Sequence, residues 1–201
     1  MMRLLLAEDQ TMFRTALASL LALEEDMEIA AEVDRGDAII EAARTAAPDV
    51  ALLDVEMPGR SGIDVIGELL DEQPGCTVVV LTTFGRPGYL KRALEAGAKG
   101  FLLKDAPVEQ LAQQIRTAVD GTVVVDPDLA ASALSTPQNP LTAREREVLA
   151  ASGYGATVRE VAAQLHLSSS TVRNYLSTAI RKTGARNRVT AARIAENNGW
   201  L

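Results

Sequence analysis

The sequence contains few cysteine and aromatic residues, and each shortage excludes some kinds of protein structure. Among 201 residues there is one cysteine, Cys76, so no disulfide can form within the chain and a disulfide-stapled scaffold is excluded. A lone cysteine is typical of a reduced thiol in a cytoplasmic protein. Aromatic residues make up 3% of the chain against 47% hydrophobic residues in total, so the core must be mostly aliphatic.

Long hydrophobic runs are also missing. No uninterrupted apolar segment approaches the roughly 18–20 residues that a membrane-spanning helix needs, which predicts no membrane insertion. The apolar stretch near the N-terminus is broken by Glu8 and Asp9 and is too short for a signal peptide. We therefore expect a folded cytoplasmic protein, and the length allows one large or two small domains.

The net charge of −7 is unevenly distributed. Residues 1–126 contain 22 acidic and 11 basic side chains, for a net charge of −11. Residues 141–201 contain 4 acidic and 9 basic side chains, for a net charge of +5. An acidic segment joined to a basic one indicates two domains with different partners. The basic segment is a candidate for binding a polyanion such as nucleic acid.

Short apolar runs alternate with longer amphipathic stretches through residues 1–122. The runs predict five strands, over residues 3–7, 28–33, 50–54, 77–82 and 99–104. The stretches that follow them predict five helices, over residues 11–23, 37–45, 62–72, 88–97 and 107–121. This alternation favours a doubly wound α/β fold, in which a five-stranded parallel sheet is covered on both faces.

The rest of the chain predicts a linker and a second domain. Residues 123–140 are rich in proline and poor in charge, which is typical of a linker, here with a short helical piece. Residues 141–201 show helical spacing throughout and predict an all-α domain, with Thr142 and Ser168 as N-caps. Its four helices are expected over residues 141–152, 157–165, 168–183 and 187–198.

Several predicted strands end on a polar side chain. The carboxyl ends of parallel strands meet at one edge of the sheet, where open α/β folds bind their ligands. The side chains at those ends are Glu8 and Asp9 after the first strand, Asp54 on the third, Thr82 on the fourth and Lys104 on the fifth. Thr82 or Lys104 taken alone is equally well explained as a polar strand end, but all five together predict a site.

The predicted site suits phosphoryl chemistry. Carboxylates a few ångströms apart repel each other, so a hard divalent cation such as Mg²⁺ is expected among them. A carboxylate oxygen can attack phosphorus to form an aspartyl phosphate, while an ammonium and a hydroxyl bind the phosphoryl oxygens. Asp54 ends a buried apolar run and precedes a Met-Pro-Gly turn, which leaves its carboxylate at the edge of the sheet and makes it the expected acceptor.

Residues 1–122 resemble the receiver domains of two-component response regulators, which have a flavodoxin-like fold. The resemblance is carried by the Glu8–Asp9 pair, the D-x-x-M-P-G-x-x-G run that begins at Asp54, Thr82, and the F-L-L-K run that ends at Lys104. It implies that Asp54 is phosphorylated by a sensor histidine kinase. It further implies that Mg²⁺ is held by Asp9, Asp54 and the Glu56 carbonyl with help from Glu8, that Thr82 and Lys104 bind the phosphoryl group, and that Phe101 is the aromatic switch residue.

Some positions depart from this pattern or carry further implications. Asp105 stands where many receivers have a proline after the lysine, so the cis peptide common there is not expected. Glu56 and Phe84 lie where the family tunes the rate of dephosphorylation. His166 is the only histidine and lies between two leucines, which favours a structural role. The phosphate donor is therefore another protein or a small molecule.

The helical domain contains two helices joined by a short turn, within residues 157–183. The second helix carries Arg173, Asn174, Arg181 and Lys182, and basic and amide side chains at these positions suit contact with the DNA major groove. The spacing alone leaves a small helical bundle with solvated arginines as an alternative.

Residues 141–199 resemble the DNA-binding domain of the NarL/FixJ family, which has a LuxR-type helix-turn-helix. The segments LTAREREVL, REVAAQL, SSSTVRNYL and IRKTGARNRVTA carry the resemblance. It implies base contacts from Arg173, Asn174 and Ser177, and phosphate contacts from Ser168, Thr171, Arg181, Lys182 and Arg188. It also implies that Val189 and Ala192 lie on the dimer surface of the DNA-bound domain.

These inferences predict a regulator that dimerises when phosphorylated and then binds double-stranded promoter DNA. Its receiver would dimerise through its first and last helices, or through the region of its fourth helix and fifth strand. The TTFGRPGY segment, residues 82–89, resembles regulators of membrane-lipid desaturation.

Two other functions remain open. A phosphatase of the haloacid dehalogenase type also uses a strand-end aspartate with a threonine and a lysine, but it needs a second aspartate where this chain has Glu56, and no cap domain is evident. A regulator that binds DNA without phosphorylation is the other alternative. We expect a signalling switch rather than an enzyme.

Overall fold

A computed structural model of the chain describes residues 1–83, 87–134, 139–152 and 155–201. The chain forms two compact units. The first consists of Met1–Gly85 and Tyr89–Ser132, and the second mainly of Ala133–Leu201. No helix in the described ranges is long and apolar enough to cross a membrane.

In the described residues, the first unit is built on a parallel sheet of six strands. They are β1 (Met2–Ala7), β2 (Met27–Val33), β3 (Val50–Asp54), β4 (Thr77–Thr82), β5 (Gly100–Leu103) and β6 (Val124–Val125). Their order across the sheet is β2-β1-β3-β4-β5-β6, and every neighbouring pair is parallel. The first five strands lie where the apolar runs predict them.

The sixth strand corrects the prediction of a five-stranded sheet. Val124 and Val125 pair with Gly100 and Phe101 of β5, and the Val124 amide donates to the Lys99 carbonyl at 2.8 Å. Two residues are too few to show a period, so sequence patterning could not identify this strand. α6 (Pro127–Leu134) follows directly, and it confirms the short helical piece that was predicted within the linker.

Helices follow the first five strands of the sheet. They are α1 (Thr11–Leu21), α2 (Ile39–Ala46), α3 (Ile66–Glu72), α4 (Pro87–Glu95) and α5 (Val108–Val119). The structure begins α3 four residues later than predicted, because residues 62–65 form turns after the Met-Pro-Gly segment. A short 3-10 turn, Gly36–Ala38, precedes α2.

The core of the first unit explains why the strands are so apolar. Leu4, Leu52 and Leu81 form one layer with Leu17 of α1 and Ile115 of α5. The next residues along the strands are buried as well, because side chains alternate between two covered faces of the sheet. The polar side chains Asp54 and Thr82 are the last residues of β3 and β4, at the carboxyl ends of these buried strands.

The second unit is helical, as predicted. Its helices are α7 (Ala143–Ser152), α8 (Val158–Gln164), α9 (Ser169–Thr183) and α10 (Arg188–Asn197). They pack around a common core that includes Val148, Val161, Leu176 and Ala195. Ser168 caps α9 by accepting from the Thr171 amide, and Thr157 and Glu160 form a reciprocal capping box on α8.

Candidate functional site

The strand ends bring five polar residues to one edge of the sheet. Glu8 and Asp9 follow β1, Asp54 ends β3 and Thr82 ends β4. Lys104 follows β5, and its amide donates to the Thr82 carbonyl at 3.0 Å. Parallel pairing of β1 with β3, β3 with β4 and β4 with β5 places these ends side by side.

An ion-pair network links the buried members of this group. Lys104 Nζ lies 2.6 Å from Glu8 Oε2 and 2.9 Å from Asp54 Oδ2. The three side chains are 5%, 1% and 6% exposed, respectively. One ammonium therefore contacts two buried carboxyl groups in a site largely shielded from water.

Glu8, Asp9 and Asp54 have the geometry of a cation site. One carboxylate oxygen from each lies within 4.8 Å of the others. Such oxygen ligands suit Mg²⁺, which is held by one or two carboxylates with waters and phosphoryl oxygens in its remaining positions. The Glu56 amide donates to Asp54 Oδ1 at 3.4 Å, which brings the Glu56 backbone close to the Asp54 carboxylate.

Burial raises the pKa of the Asp54 carboxyl group above its ordinary value, and the hydrogen bond and charge of Lys104 partly offset that rise. Burial likewise raises the pKa of Glu8, again with Lys104 acting in the opposite direction. Two buried carboxyl groups with one cation are thus less acidic than in water, because loss of hydration disfavours the charged form.

The loop after Asp54 is held close to the strand by glycines. A side chain at Gly62 would place its Cβ atom 2.0 Å from the Asp54 carbonyl oxygen. Gly59 has φ of +83°, and the Gly36 amide donates to the Pro58 carbonyl at 3.0 Å. The Met-Pro-Gly turn is therefore packed against its surroundings, and it holds the backbone at Asp54 in place.

Thr82 and Phe101 lie on adjacent strands. Thr82 is 3% exposed and pairs in register with Leu103, the residue before Lys104. Phe101 is fully buried between Val80 on β4 and Val125 on β6. The strand missed by sequence patterning thus forms one wall around the predicted switch residue.

Two residues at the start of α1 were not identified as part of the site. Arg14 Nη1 donates to the Glu8 carbonyl at 2.6 Å and pairs with Glu32 at 3.6 Å. The Phe13 ring centre lies 5.1 Å from Lys104 Nζ, within cation–π range. Their only sequence signal is position, one helical turn after the Glu8–Asp9 pair.

The remaining expectations about the receiver segment have different outcomes. The Lys104–Asp105 peptide is trans, as the absence of proline predicts. Phe84, predicted to affect dephosphorylation, lies outside the described residues, as do Gly85 and Arg86 of the TTFGRPGY segment.

His166 adopts φ of +54° at the C-terminal end of α8. The next amide, that of Leu167, donates to the Ala162 carbonyl, which is the hydrogen bond of a Schellman motif and agrees with a structural role.

The helix-turn-helix presents its predicted base-contacting residues to solvent. Arg173, Asn174 and Ser177 are exposed on α9, whereas Val172 and Leu176 on the opposite face are buried. Among the predicted phosphate contacts, Ser168, Arg181 and Lys182 are also exposed. The exposed face of α9 is therefore basic and polar, as contact with the major groove requires.

Other predicted DNA contacts have partners within the domain. Arg188 Nη1 donates to the Ala156 carbonyl at 2.7 Å, and Lys182 Nζ lies 2.8 Å from Glu145 Oε2. At the predicted dimer surface, Val189 is 57% exposed but Ala192 is only 4% exposed and packs in the core. Of that pair, Val189 alone is accessible on the isolated domain.

Two family models match the chain. The model described as "Response regulator receiver domain" matches residues 4–116. The model described as "Bacterial regulatory proteins, luxR family" matches residues 139–195. The two matches correspond to the acidic and the basic parts of the sequence.

Curated relatives match over the whole length. The transcriptional regulatory protein YvfU of Bacillus subtilis strain 168 is 46% identical over 201 residues, covering 100% of both chains. DesR of the same organism is 42% identical, also over 100% of both chains. The crystal structure of the response regulator ChrA in a heme-sensing two-component system matches with a TM-score of 0.58 at 32% identity, covering 100% of this chain and 98% of that one.

Proposed function

Because the chain belongs to the response regulators that join a receiver domain to a LuxR-type DNA-binding domain, we propose that Asp54 is its phosphorylation site. The observation that carries this proposal is the junction of Glu8, Asp9, Asp54 and Lys104 at one sheet edge. The donor would be the phosphohistidine of a sensor histidine kinase. We assign residues 1–122 to the receiver, 123–140 to the connecting segment and 141–201 to DNA binding.

The transfer can be written for these side chains. An Asp54 carboxylate oxygen forms a bond to phosphorus as the bond from phosphorus to the donor's imidazole nitrogen breaks, and the electron pair leaves with that nitrogen, which takes a proton. Lys104 and Thr82 would bind the phosphoryl oxygens as negative charge develops on them. Asp9, Asp54, the Glu56 carbonyl and Glu8 would hold Mg²⁺, which neutralises phosphoryl charge when it is bound.

Phosphorylation would change which groups Lys104 attracts. The phosphoryl group adds about −1.5 to −2 charges at a site where the ammonium already contacts Glu8 and Asp54. Thr82 ends β4 and Lys104 directly follows the adjacent strand β5, so their movement would be transmitted to β5 and to Phe101. Dimerisation would follow, through the faces of α1 and α5 or through the region of α4 and β5.

Sequence-specific recognition of DNA would then depend on α9. Dimerisation brings two recognition helices to half-sites about one helical turn apart on promoter DNA. Arg173, Asn174 and Ser177 face outward from this helix and would contact base edges. Ser168, Thr171 and Arg181 would contact phosphates, which position the helix without reading sequence.

Mg²⁺ is expected to stabilise the receiver through Asp9. At a free concentration of one hundred times its Kd, Mg²⁺ should add about 2.7 kcal/mol to the free energy of unfolding. Asp9→Asn should remove this gain without disturbing the Lys104 ion pairs, because Asp9 does not take part in them. The measurement is a thermal melt with Mg²⁺ and with EDTA.

The control for that melt is Asp34→Asn, which removes an exposed carboxylate that follows the neighbouring strand β2. It should keep the full Mg²⁺-dependent shift. An equal shift in Asp9→Asn and wild type would exclude Asp9 as a ligand.

The DNA-binding assignment is tested by selection from a random-sequence duplex pool. Acetyl-phosphate-treated wild type should enrich a two-fold symmetric site. Arg173→Ala should lose roughly 1–3 kcal/mol of discrimination at one base position in each half-site, the range for a bidentate arginine–guanine contact. Arg146→Ala, which removes an exposed arginine from α7, should leave the enriched sequence unchanged. Enrichment of the same site by Arg173→Ala would refute the proposed reading.

A further inference from the structure

The C-terminal end of the recognition helix carries two adjacent cations in different surroundings. Lys182 Nζ lies 2.8 Å from Glu145 Oε2, which belongs to the first turn of α7. Both residues are exposed, but no ion pair in the described part of the chain involves Arg181. The structure thus distinguishes two residues for which the family resemblance implies the same role, a phosphate contact.

The Glu145 carboxylate that pairs with Lys182 is held in place by other hydrogen bonds. Its side chain is 7% exposed, and its Oε2 atom accepts from the Thr142 amide at 2.7 Å as well as contacting Lys182. The Glu145 amide in turn donates to Thr142 Oγ1 at 3.3 Å, which completes a capping box at the start of α7. The carboxylate that Lys182 meets is therefore held in one orientation by the helix it caps.

A buried carboxylate needs a cation, and here Lys182 supplies it. The pair joins the first turn of α7 to the last turn of α9. Elsewhere the same two helices share apolar contacts in the core, which includes Val148, Leu149, Leu176 and Ala179. The apolar contacts hold the helices together, and the ion pair adds a directional link at one end of α9.

We propose that Lys182 is a positioning residue, which sets the recognition helix against α7 through Glu145 and makes no phosphate contact of its own. The proposal rests on the function proposed above. It replaces the phosphate contact that the family resemblance implies for Lys182, and it leaves that role to Arg181 at the same end of α9.

The two roles differ in how binding depends on salt. Each phosphate contact that is lost lowers the slope of log affinity against log salt concentration by about 1, because one fewer counterion is released. A positioning residue changes affinity by a constant factor at every salt concentration. Neighbouring cations on one helix can therefore be compared directly.

The experiment measures salt-dependent binding of the phosphorylated full chain to a duplex that wild type selects from a random pool. Lys182→Met should bind about tenfold more weakly at every salt concentration, equivalent to about 1.4 kcal/mol, with the wild-type slope. Arg181→Met should lower the slope by about 1. Lys182→Arg should recover most of the affinity.

Measurements well below the melting temperature separate positioning from simple stabilisation. There, folded Lys182→Met should still bind more weakly than wild type, and equal affinity would overturn the proposal. A slope reduced by about 1 in Lys182→Met would also overturn it, since that is the signature of a phosphate contact.

The double variant Glu145→Gln/Lys182→Met covers the case in which Lys182→Met does not fold. Removing both charges avoids an unpaired buried carboxylate, so the double variant should fold and keep the wild-type slope. A slope lower by about 1 in the double variant would refute the proposal. If wild type itself selects no duplex, the proposed function fails, and that result is distinct from failure of the Lys182 assignment.

Discussion

Lys104→Met should cost about 3–5 kcal/mol in the free energy of unfolding at neutral pH, and it should abolish phosphorylation from acetyl phosphate. The ammonium is the shared partner of two nearly buried carboxylates, at 2.6 Å from Glu8 and 2.9 Å from Asp54. Removing it leaves like charges together without a cation, and it also removes the positive charge that would bind the phosphoryl group. Chemical denaturation in EDTA measures the first effect, and incorporation of phosphoryl groups measures the second.

The stability loss in Lys104→Met should depend on pH in a definite direction. Burial already raises the pKa values of Glu8 and Asp54 in the folded state, and removal of Lys104 raises them further. The folded state then binds more protons than the unfolded state, so the loss grows as pH rises through the folded-state pKa values. It shrinks as pH falls toward the ordinary carboxyl range near pH 4.

Lys99→Met is the matched control, because Lys99 is exposed just before β5. It should leave the pH dependence of stability and the phosphorylation unchanged. A pH-independent loss in Lys104→Met would show that Lys104 contributes through packing and not through its charge.

Gly62→Ala should have the second largest effect. Its Cβ atom would lie 2.0 Å from the Asp54 carbonyl oxygen and 3.0 Å from the carbonyl carbon, so the acceptor's own backbone must move. Overpacking of this kind costs typically 1–3 kcal/mol. A displacement of about 1 Å at a reacting group lowers rate by on the order of 100-fold, which we expect for phosphorylation from acetyl phosphate.

Gly67→Ala is the control for this steric argument. Gly67 lies in α3, five residues further along the chain, and no atom lies within 4 Å of a Cβ atom built there. Since alanine is favoured over glycine in a helix, this substitution should not destabilise the chain and should leave phosphorylation unchanged. Equal phosphorylation rates in Gly62→Ala and Gly67→Ala would contradict the proposed steric role of Gly62.

Much of the fold was predictable from its short apolar runs and the amphipathic stretches between them. Val50–Asp54 and Thr77–Thr82 form strands at the predicted positions, since continuous aliphatic runs suit a sheet buried on both faces. The two-residue strand β6 was not predictable, because its pairing depends on the exposed edge of β5 and not on a pattern of its own.

The residues that form the candidate site could also be predicted in large part. Strand ends specify which side chains meet at the sheet edge, and the cluster of Glu8, Asp9 and Asp54 follows from parallel topology. Which side chains form ion pairs with each other, and which are buried between helices, could not be predicted from the sequence. The pairing of Lys182 with Glu145 and the burial of Ala192 depend on how α7, α9 and α10 pack, which helical spacing does not specify.

The most direct test of the phosphorylation switch is to locate the phosphoryl group. Full-length wild type treated with acetyl phosphate and Mg²⁺ should gain one phosphoryl group by intact mass, and peptide mapping after borohydride trapping should place it on Asp54. Asp54→Asn should gain none and should show no phosphorylation-dependent DNA binding. Label retained in Asp54→Asn, or mapped to a different side chain in wild type, would contradict the account.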